Sequence, residues 1–297
     1  MAHSTDRLGK GWDGRAVGLV LRRPVRTLGI EAFYNDFMAG VEDALNRQDQ
    51  PFLLQVVPDM ESELDAYHRW HESGKVGAVL LVDVLVDDDP RLSLVDELGF
   101  AVLVLANPQD AGGHSVLWTD EAAVVQSAVD HLVQLGHTRL GRVSGPVGFS
   151  HTTHRTTAFV TAAAAAGANT AIAAADFSRE GGAAAVRQLL RSDAPPTGIM
   201  FDNDVMAAGA VEAIVAMGLR VPEDVSILAC DDSVLCRITK PPLTAVSRDV
   251  HTLGEKAGEA IMRILDGADP ALIAAPTPQL IARESTGPVH PYRAGDA

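Results

Sequence analysis

The chain has 297 residues, 47% hydrophobic and 21% charged, enough length and apolar content for two lobes with separate cores. Its 24 Lys/Arg stand against 39 Asp/Glu, a formal net charge of −15, and a surface of that sign repels a phosphate backbone, whose binding relies on cations that release counterions. Two cysteines are too few for a disulfide framework, no apolar run reaches the ~20 residues of a membrane helix, and the polar opening Met1–Gly14 lacks the apolar core of a secretory signal, so a cytoplasmic protein is expected.

After a tail over residues 1–14 that reads as unstructured, Ala16–Leu21 is the first strand, followed by the nearest approach to a basic patch, Arg22, Arg23 and Arg26. A helix is expected over Asp36–Arg47, where Phe37, Gly40, Val41, Ala44 and Leu45 share one side. Further strands are expected at Phe52–Val57, Ala78–Val82, Ala101–Leu105 and Ser115–Trp118, then a helix over Glu121–Leu135. Strands follow at Leu140–Ser144, Gly198–Phe201, Ser226–Cys230 and Leu243–Ser247, between helices at Arg155–Ala166, Gly181–Arg191, Val205–Met217 and Leu253–Leu265. The strands are nearly continuous in Val, Ile and Leu, the pattern of strands covered on both faces, and their alternation with helices predicts an α/β fold of parallel sheets with right-handed crossovers. In such sheets ligands sit beyond the carboxyl ends of the strands, which picks out 22–34, 118–120, 145–155, 202–204 and 231–233.

Five segments then stand out in order: LVQLGHTRLGRVSG at Leu132–Gly145, TGIMFDNDVMAAG at Thr197–Gly209, GLRVPEDVSILACDD at Gly218–Asp232, PPLTAV at Pro241–Val246 and QLIARESTGP at Gln279–Pro288. Together they resemble the effector-binding core of the lactose-repressor (LacI/GalR) family of transcription regulators, over nearly the whole span from Ala16 to Gly287. The resemblance implies a periplasmic-binding-protein-like fold of two Rossmann-like lobes joined by three crossovers, near Gly136, Ser247 and Pro278. It implies a first lobe of residues 15–135 with 248–277, a second of 136–247 with 278–290, and a tail over 291–297. Family members open with a helix-turn-helix and a hinge helix that nothing here matches. Truncation is the reading taken, because the RESTGP ending is whole, so operator DNA is expected to be a partner only through that missing headpiece. A homodimer is likewise implied.

The resemblance also implies which residues hold the effector, expected to be a sugar. Arg155 stands where the family's R-x-x-G-[FW] motif has its arginine, although Ala158 replaces the glycine here. A guanidinium fork suits hydroxyls; the competing reading is an ion pair at a helix N-terminus. Asp231 and Asn203 suit vicinal hydroxyls, while Asn203 equally fits a helix N-cap, a job for which Asp204 competes. Phe177 matches an aromatic that stacks on the ligand, against a reading as plain core. Phe33 and Tyr34 correspond to first-lobe cleft residues or to a staple for the following helix, and Trp118 and Asp120 lie at the lobe edge. Arg22 reads as a solvated loop residue over the alternative of facing an anionic effector, and Asp232 as a partner for local backbone donors. Replacing Arg155 or Asp231 by Ala is expected to weaken binding by about tenfold or more while leaving the melting temperature largely intact.

The His68/His71 and His151/His154 pairs lack a third ligand at convincing spacing, so no metal is expected, and no cofactor motif is found. His151 and His154 flank the cleft. A transporter's solute-binding protein shares the fold but requires export, and no nucleophile elbow, P-loop or dinucleotide loop supports an enzyme.

Overall fold

A computed structural model describes residues 15–23 and 32–289. Both expected tails, and Arg26 of the basic cluster, lie outside those residues. The first sheet contains β1 (Ala16–Arg22), β2 (Phe52–Val57), β3 (Val76–Leu81), β4 (Ala101–Leu105), β5 (Ser115–Trp118) and β11 (Leu272–Ala274), in the spatial order β11-β5-β4-β3-β1-β2. All its pairs are parallel. The second contains β6 (Arg139–Ser144), β7 (Asn169–Ala174), β8 (Gly198–Phe201), β9 (Ser226–Ala229), β10 (Thr244–Ser247) and β12 (Gln279–Ile281), in the order β12-β10-β9-β8-β6-β7. Only the β10–β12 pair is antiparallel.

Each sheet is a middle layer with helices on both faces, as its apolar strands require. In the first lobe, α1 (Ala32–Asn46) and α9 (Val250–Leu265) cover one face, where Phe37, Val41, Leu253 and Ile261 meet Leu19 and Leu80. On the other, α2 (Met60–Ser73) and α3 (Pro90–Glu97) bring Tyr67, Trp70 and Val95 onto Val20 and Val79. In the second lobe, α6 (Arg179–Leu190) and α7 (Asp204–Ala216) cover one face, and α4 (Glu121–Gln134) with α5 (Ser150–Ala165) the other. Glycines set how closely α1 and α9 cross: a Cβ on Gly40 would lie 2.0 Å from the His251 carbonyl oxygen, and one on Gly254 2.1 Å from that of Phe37.

The chain crosses between lobes three times, and the first crossing is not where the sequence placed it. Val124, Val125, Ala128, Val129 and Leu132 of α4 pack on Leu140, Met200 and Val246 of the second sheet. The first crossing therefore falls between Trp118 and Glu121 instead of near Gly136, and α4 belongs with the second lobe. The later crossings run from β10 to α9 and from β11 to β12.

Two helices begin a turn earlier than apolar periodicity indicated, α1 at Ala32 and α5 at Ser150, because their first turns are polar or face the cleft. The strand β7 was missed because it lies at a sheet edge with most of its Ala, Asn and Thr residues exposed, so nothing in it reads as a buried run. The YHRWH segment is not polar all round: α2 buries Tyr67 and Trp70 and exposes His68 and His71.

Candidate functional site

The carboxyl ends of both sheets converge on one cleft. Arg23 follows β1, Asp83 follows β3, and Glu121 opens α4 just past β5. From the second lobe come His151 and Arg155 on α5, Phe177 after β7, Asp202, Asn203 and Asp204 after β8, Asp231 after β9, and Arg248 after β10. With Phe33 and Tyr34 of α1 these residues enclose about 890 Å³ of empty space, its mouth included.

Three arginines and five carboxylates line this space, and most are paired across short distances. Arg23 Nη2 lies 2.7 Å from Asp83 Oδ2. Arg155 donates from Nε to Glu121, and Arg248 donates from Nη2 to Asp231. Arg248 also approaches Glu121 at 3.9 Å, and its Nε is buried without a hydrogen-bond partner. Behind the wall, fully buried Arg142 holds Asp202 through Nε at 3.1 Å and Nη2 at 2.8 Å, and the Gly145 N–H donates to the same carboxylate at 2.9 Å.

These partners set the ionisation of the site. Burial pushes the Asp83 carboxyl up, but the charges of Arg23 and His151 and hydrogen bonds from Tyr34 and Arg23 outweigh it and bring it to about 2. Glu121 is likewise raised by burial but held below its usual range by Arg155 and Arg248. Asp204 behaves oppositely: among the described residues it forms no ion pair with an arginine or lysine, and burial beside Asp231 pushes it up to about 6. Burial, then Arg155, lowers the His151 imidazole.

Aromatic rings supply the apolar surface. His151 stacks between Phe149, with centroids 5.7 Å apart, and Phe177 at 6.1 Å. The Arg23 guanidinium lies 5.1 Å from the Tyr34 ring and 6.0 Å from the Phe177 ring, so one cation bridges an aromatic from each lobe. Arg248 sits 5.0 Å over Phe33. Phe177 occupies the left-handed region at φ 65°, and its ring fills the space a side chain on Gly145 would take, where a Cβ would be 2.1 Å from the ring.

Of the residues singled out in the sequence, the cleft gathers Arg155, Asp231, Asn203, Phe177, Phe33 and Tyr34, and it leaves out Trp118 and Asp120. Trp118 packs at the margin of the first core, and Asp120 is the N-cap of α4, accepting from the Ala123 N–H at 2.9 Å. Arg155 stands in the second turn of α5, not at its N-terminus, and is 3% exposed, so its pairing with Glu121 is a buried one. Asn203 both lines the cavity and caps α7: Oδ1 accepts from the Met206 N–H at 2.9 Å while Nδ2 donates to the Phe177 carbonyl at 3.2 Å. Phe177 also touches the second core, and Tyr34 belongs to the first.

Two other expectations need correcting. Arg22 is not solvated; its Nε lies 2.7 Å from buried Glu63. Asp232 pairs with Arg283 at 2.8 Å instead of serving local backbone donors. His154 lines the cleft and also faces Asp110 of the other lobe at 2.8 Å.

Asp83, Glu121 and Arg248 were missed, and Arg23 was noticed only within the basic cluster and the 22–34 segment, not as a site residue. The strand-end rule, extended to β3 and β10, points to Asp83 and Arg248. Glu121 follows from the polar step before an apolar helix. Among the described residues no group of His, Cys, Asp and Glu gathers to hold a metal. Cys230 is fully buried, and burial pushes its thiol up to about 12, which removes it as a nucleophile at neutral pH. The site offers hydrogen-bond donors and acceptors beside aromatic faces, the equipment for binding a neutral polar molecule.

A family model described as a periplasmic binding protein-like domain matches residues 129–286. The chain is 27% identical over 276 residues to the HTH-type transcriptional regulator CelR of Thermobifida fusca, covering 91% of this chain and 80% of that protein. It is 35% identical over 263 residues to the HTH-type transcriptional regulator reg1 of Streptomyces lividans, covering 84% and 76% respectively. The solved structure of a LacI family transcriptional regulator from Bifidobacterium animalis subsp. lactis superposes with a TM-score of 0.84 at 31% identity, over 93% of this chain and 99% of that one. A complex of CelR with cellobiose gives a TM-score of 0.84 at 26% identity, over 92% and 85%. Among the described residues no helix is long and apolar enough to cross a membrane.

Proposed function

This chain belongs to the LacI family of transcription regulators, and from that premise we propose that its cleft binds a neutral sugar larger than one ring as the regulator's effector. The observation that carries this reading is the pairing of charges around the cavity. Arg23, Arg155 and Arg248 each face a carboxylate, and lining carboxylates outnumber lining arginines, so an anionic effector such as a sugar phosphate meets net repulsion. Fixed ion pairs still present spare donors and acceptors, which a hydroxyl satisfies in both directions. Phe33 from one lobe and Phe177 from the other offer apolar faces to the C–H side of a sugar ring. The solved complex of the similar regulator CelR with cellobiose supports a disaccharide over a single ring.

In this reading, effector shifts the balance between lobe arrangements in proportion to its differential affinity, and a homodimer passes the change to DNA-binding segments outside residues 15–289. The protein acts in the cytoplasm and performs no catalysis. A calorimetric and thermal-shift panel of cellobiose, maltose, monosaccharides, sugar phosphates and nucleosides tests the reading. A neutral disaccharide at a hundredfold excess over its dissociation constant should stabilise the protein by ~2.7 kcal/mol. Preferential binding of a sugar phosphate or nucleoside would refute the neutral-sugar assignment.

A further inference from the structure

The two lobes are joined across the cleft by contacts that involve no ligand. Two backbone hydrogen bonds join the lobes there: the Val86 N–H donates to the Gly148 carbonyl at 3.0 Å, and the Ser150 N–H donates to the Val84 carbonyl at 2.7 Å. They frame an isolated antiparallel bridge between Leu85 and Phe149. Ser150, only 1% exposed, adds two more bonds to the first lobe. Its hydroxyl donates to Asp110 at 2.6 Å and accepts from the Asn107 N–H at 3.3 Å. Asp110 accepts a second time, from His154 Nε2 at 2.8 Å.

Ser150 is the first residue of α5, and that helix has no side-chain cap of its own, since its N-cap position is Phe149. The first turn of a helix leaves backbone donors unsatisfied. Here the first of them is taken by a carbonyl of the opposite lobe. We infer that Ser150 and Asp110 form an interlobe clasp that caps α5 only while the cleft is shut, making them positioning residues for effector binding. Opening the cleft strips α5 of its cap and frees the helix that presents His151 and Arg155. Asp110 does not line the cavity, so it acts on an effector only through α5. The link to an effector rests on the reading proposed above; the clasp itself does not.

The bridge geometry supplies a ligand-free test. Leu85 and Phe149 are a non-hydrogen-bonded antiparallel pair, whose Cα atoms lie about 4.5 Å apart, within the range of about 4.4–6.8 Å that a disulfide spans. The native cysteines Cys230 and Cys236 are both buried and do not compete. The full chain carrying Leu85→Cys and Phe149→Cys should form an intramolecular disulfide under mild oxidation, at a rate that reports the closed population. Adding Asp110→Ala should slow that rate about tenfold, the effect of losing a charge-assisted hydrogen bond across the clasp.

No disulfide with or without saturating cellobiose, or a rate that Asp110→Ala leaves unchanged, would overturn the clasp. A faster rate together with a lower melting temperature would overturn it too, because it would show Asp110 merely supporting its own lobe. Cellobiose should accelerate cross-linking of the double-cysteine chain. Absence of that acceleration with the ligand-free result intact would count against the sugar assignment alone.

Discussion

Replacing Asp83 by Asn preserves the size of the side chain and an acceptor oxygen but removes the charge that faces Arg23. Both partners are nearly inaccessible, at 8% and 9%, so solvent does not take over the lost interaction. The Asp83 carboxyl titrates at about 2 in the folded chain, against 3.8 for its ordinary value. At 1.36 kcal/mol per unit this difference contributes about 2 kcal/mol of stability. For a carboxyl depressed by folding, the contribution is complete above the unfolded value and is lost as pH falls through the folded one. Asp83→Asn should therefore lower stability by about 2 kcal/mol at pH 7, or roughly 4–8 °C in melting temperature for lobes of this size. Urea titrations of both proteins from pH 7 down to pH 3 provide the assay. The difference should stay constant to about pH 4 and narrow below it. Equal stability at pH 7, or a difference that widens on acidification, would refute the reasoning.

Asp204 gives the reverse. Its folded value of about 6 exceeds 3.8, so its charge carries a penalty of about 3 kcal/mol above pH 6 that vanishes below pH 4. Asp204→Asn keeps an acceptor for the Ser233 N–H and should raise the melting temperature at pH 7 but not at pH 4. Arg155→Ala, expected from sequence to spare stability, should cost about 3 kcal/mol in chemical denaturation because it leaves buried Glu121 with only Arg248, 3.9 Å away, as well as weakening effector binding. The double variant with Glu121→Ala should recover part of that loss. Gly145→Ala places a methyl group 2.1 Å from the Phe177 ring, which must move. Calorimetry should show weaker sugar binding, and thermal melts a loss of about 1–3 kcal/mol.

How much of this was legible depended on whether a residue's neighbours were local. Runs such as Ala16–Arg22 and Gly198–Phe201 announce themselves because strands covered on both faces are apolar throughout. The edge strand β7 does not, since exposure removes the pattern. The same limit governs the site. Asp231 and Arg155 stood out in local motifs, yet their partners Arg248 and Glu121 lie 17 and 34 residues away and carry no local mark. Apolar periodicity placed α4 as a helix, but only its packing on Leu140, Met200 and Val246 assigned it to the second lobe. Helix starts slipped for a related reason: the first turn of α5 is polar because it meets the other lobe, a contact no window of sequence contains.

The crossing of α1 with α9 has a consequence for synthesis. The apolar side of α1, with Phe37 and Val41, is covered by a helix that begins only at Val250. At ~5–20 residues per second a ribosome needs roughly 10–40 s to make the intervening chain. Throughout that interval the nascent first lobe carries an uncovered greasy stripe and lacks its outermost strand. The central strands of the second lobe, β6 to β10, are all made before α9 and β11 of the first, and only β12 follows them. A chain released before Leu265 keeps that stripe exposed, the kind of species that chaperones hold and proteases remove.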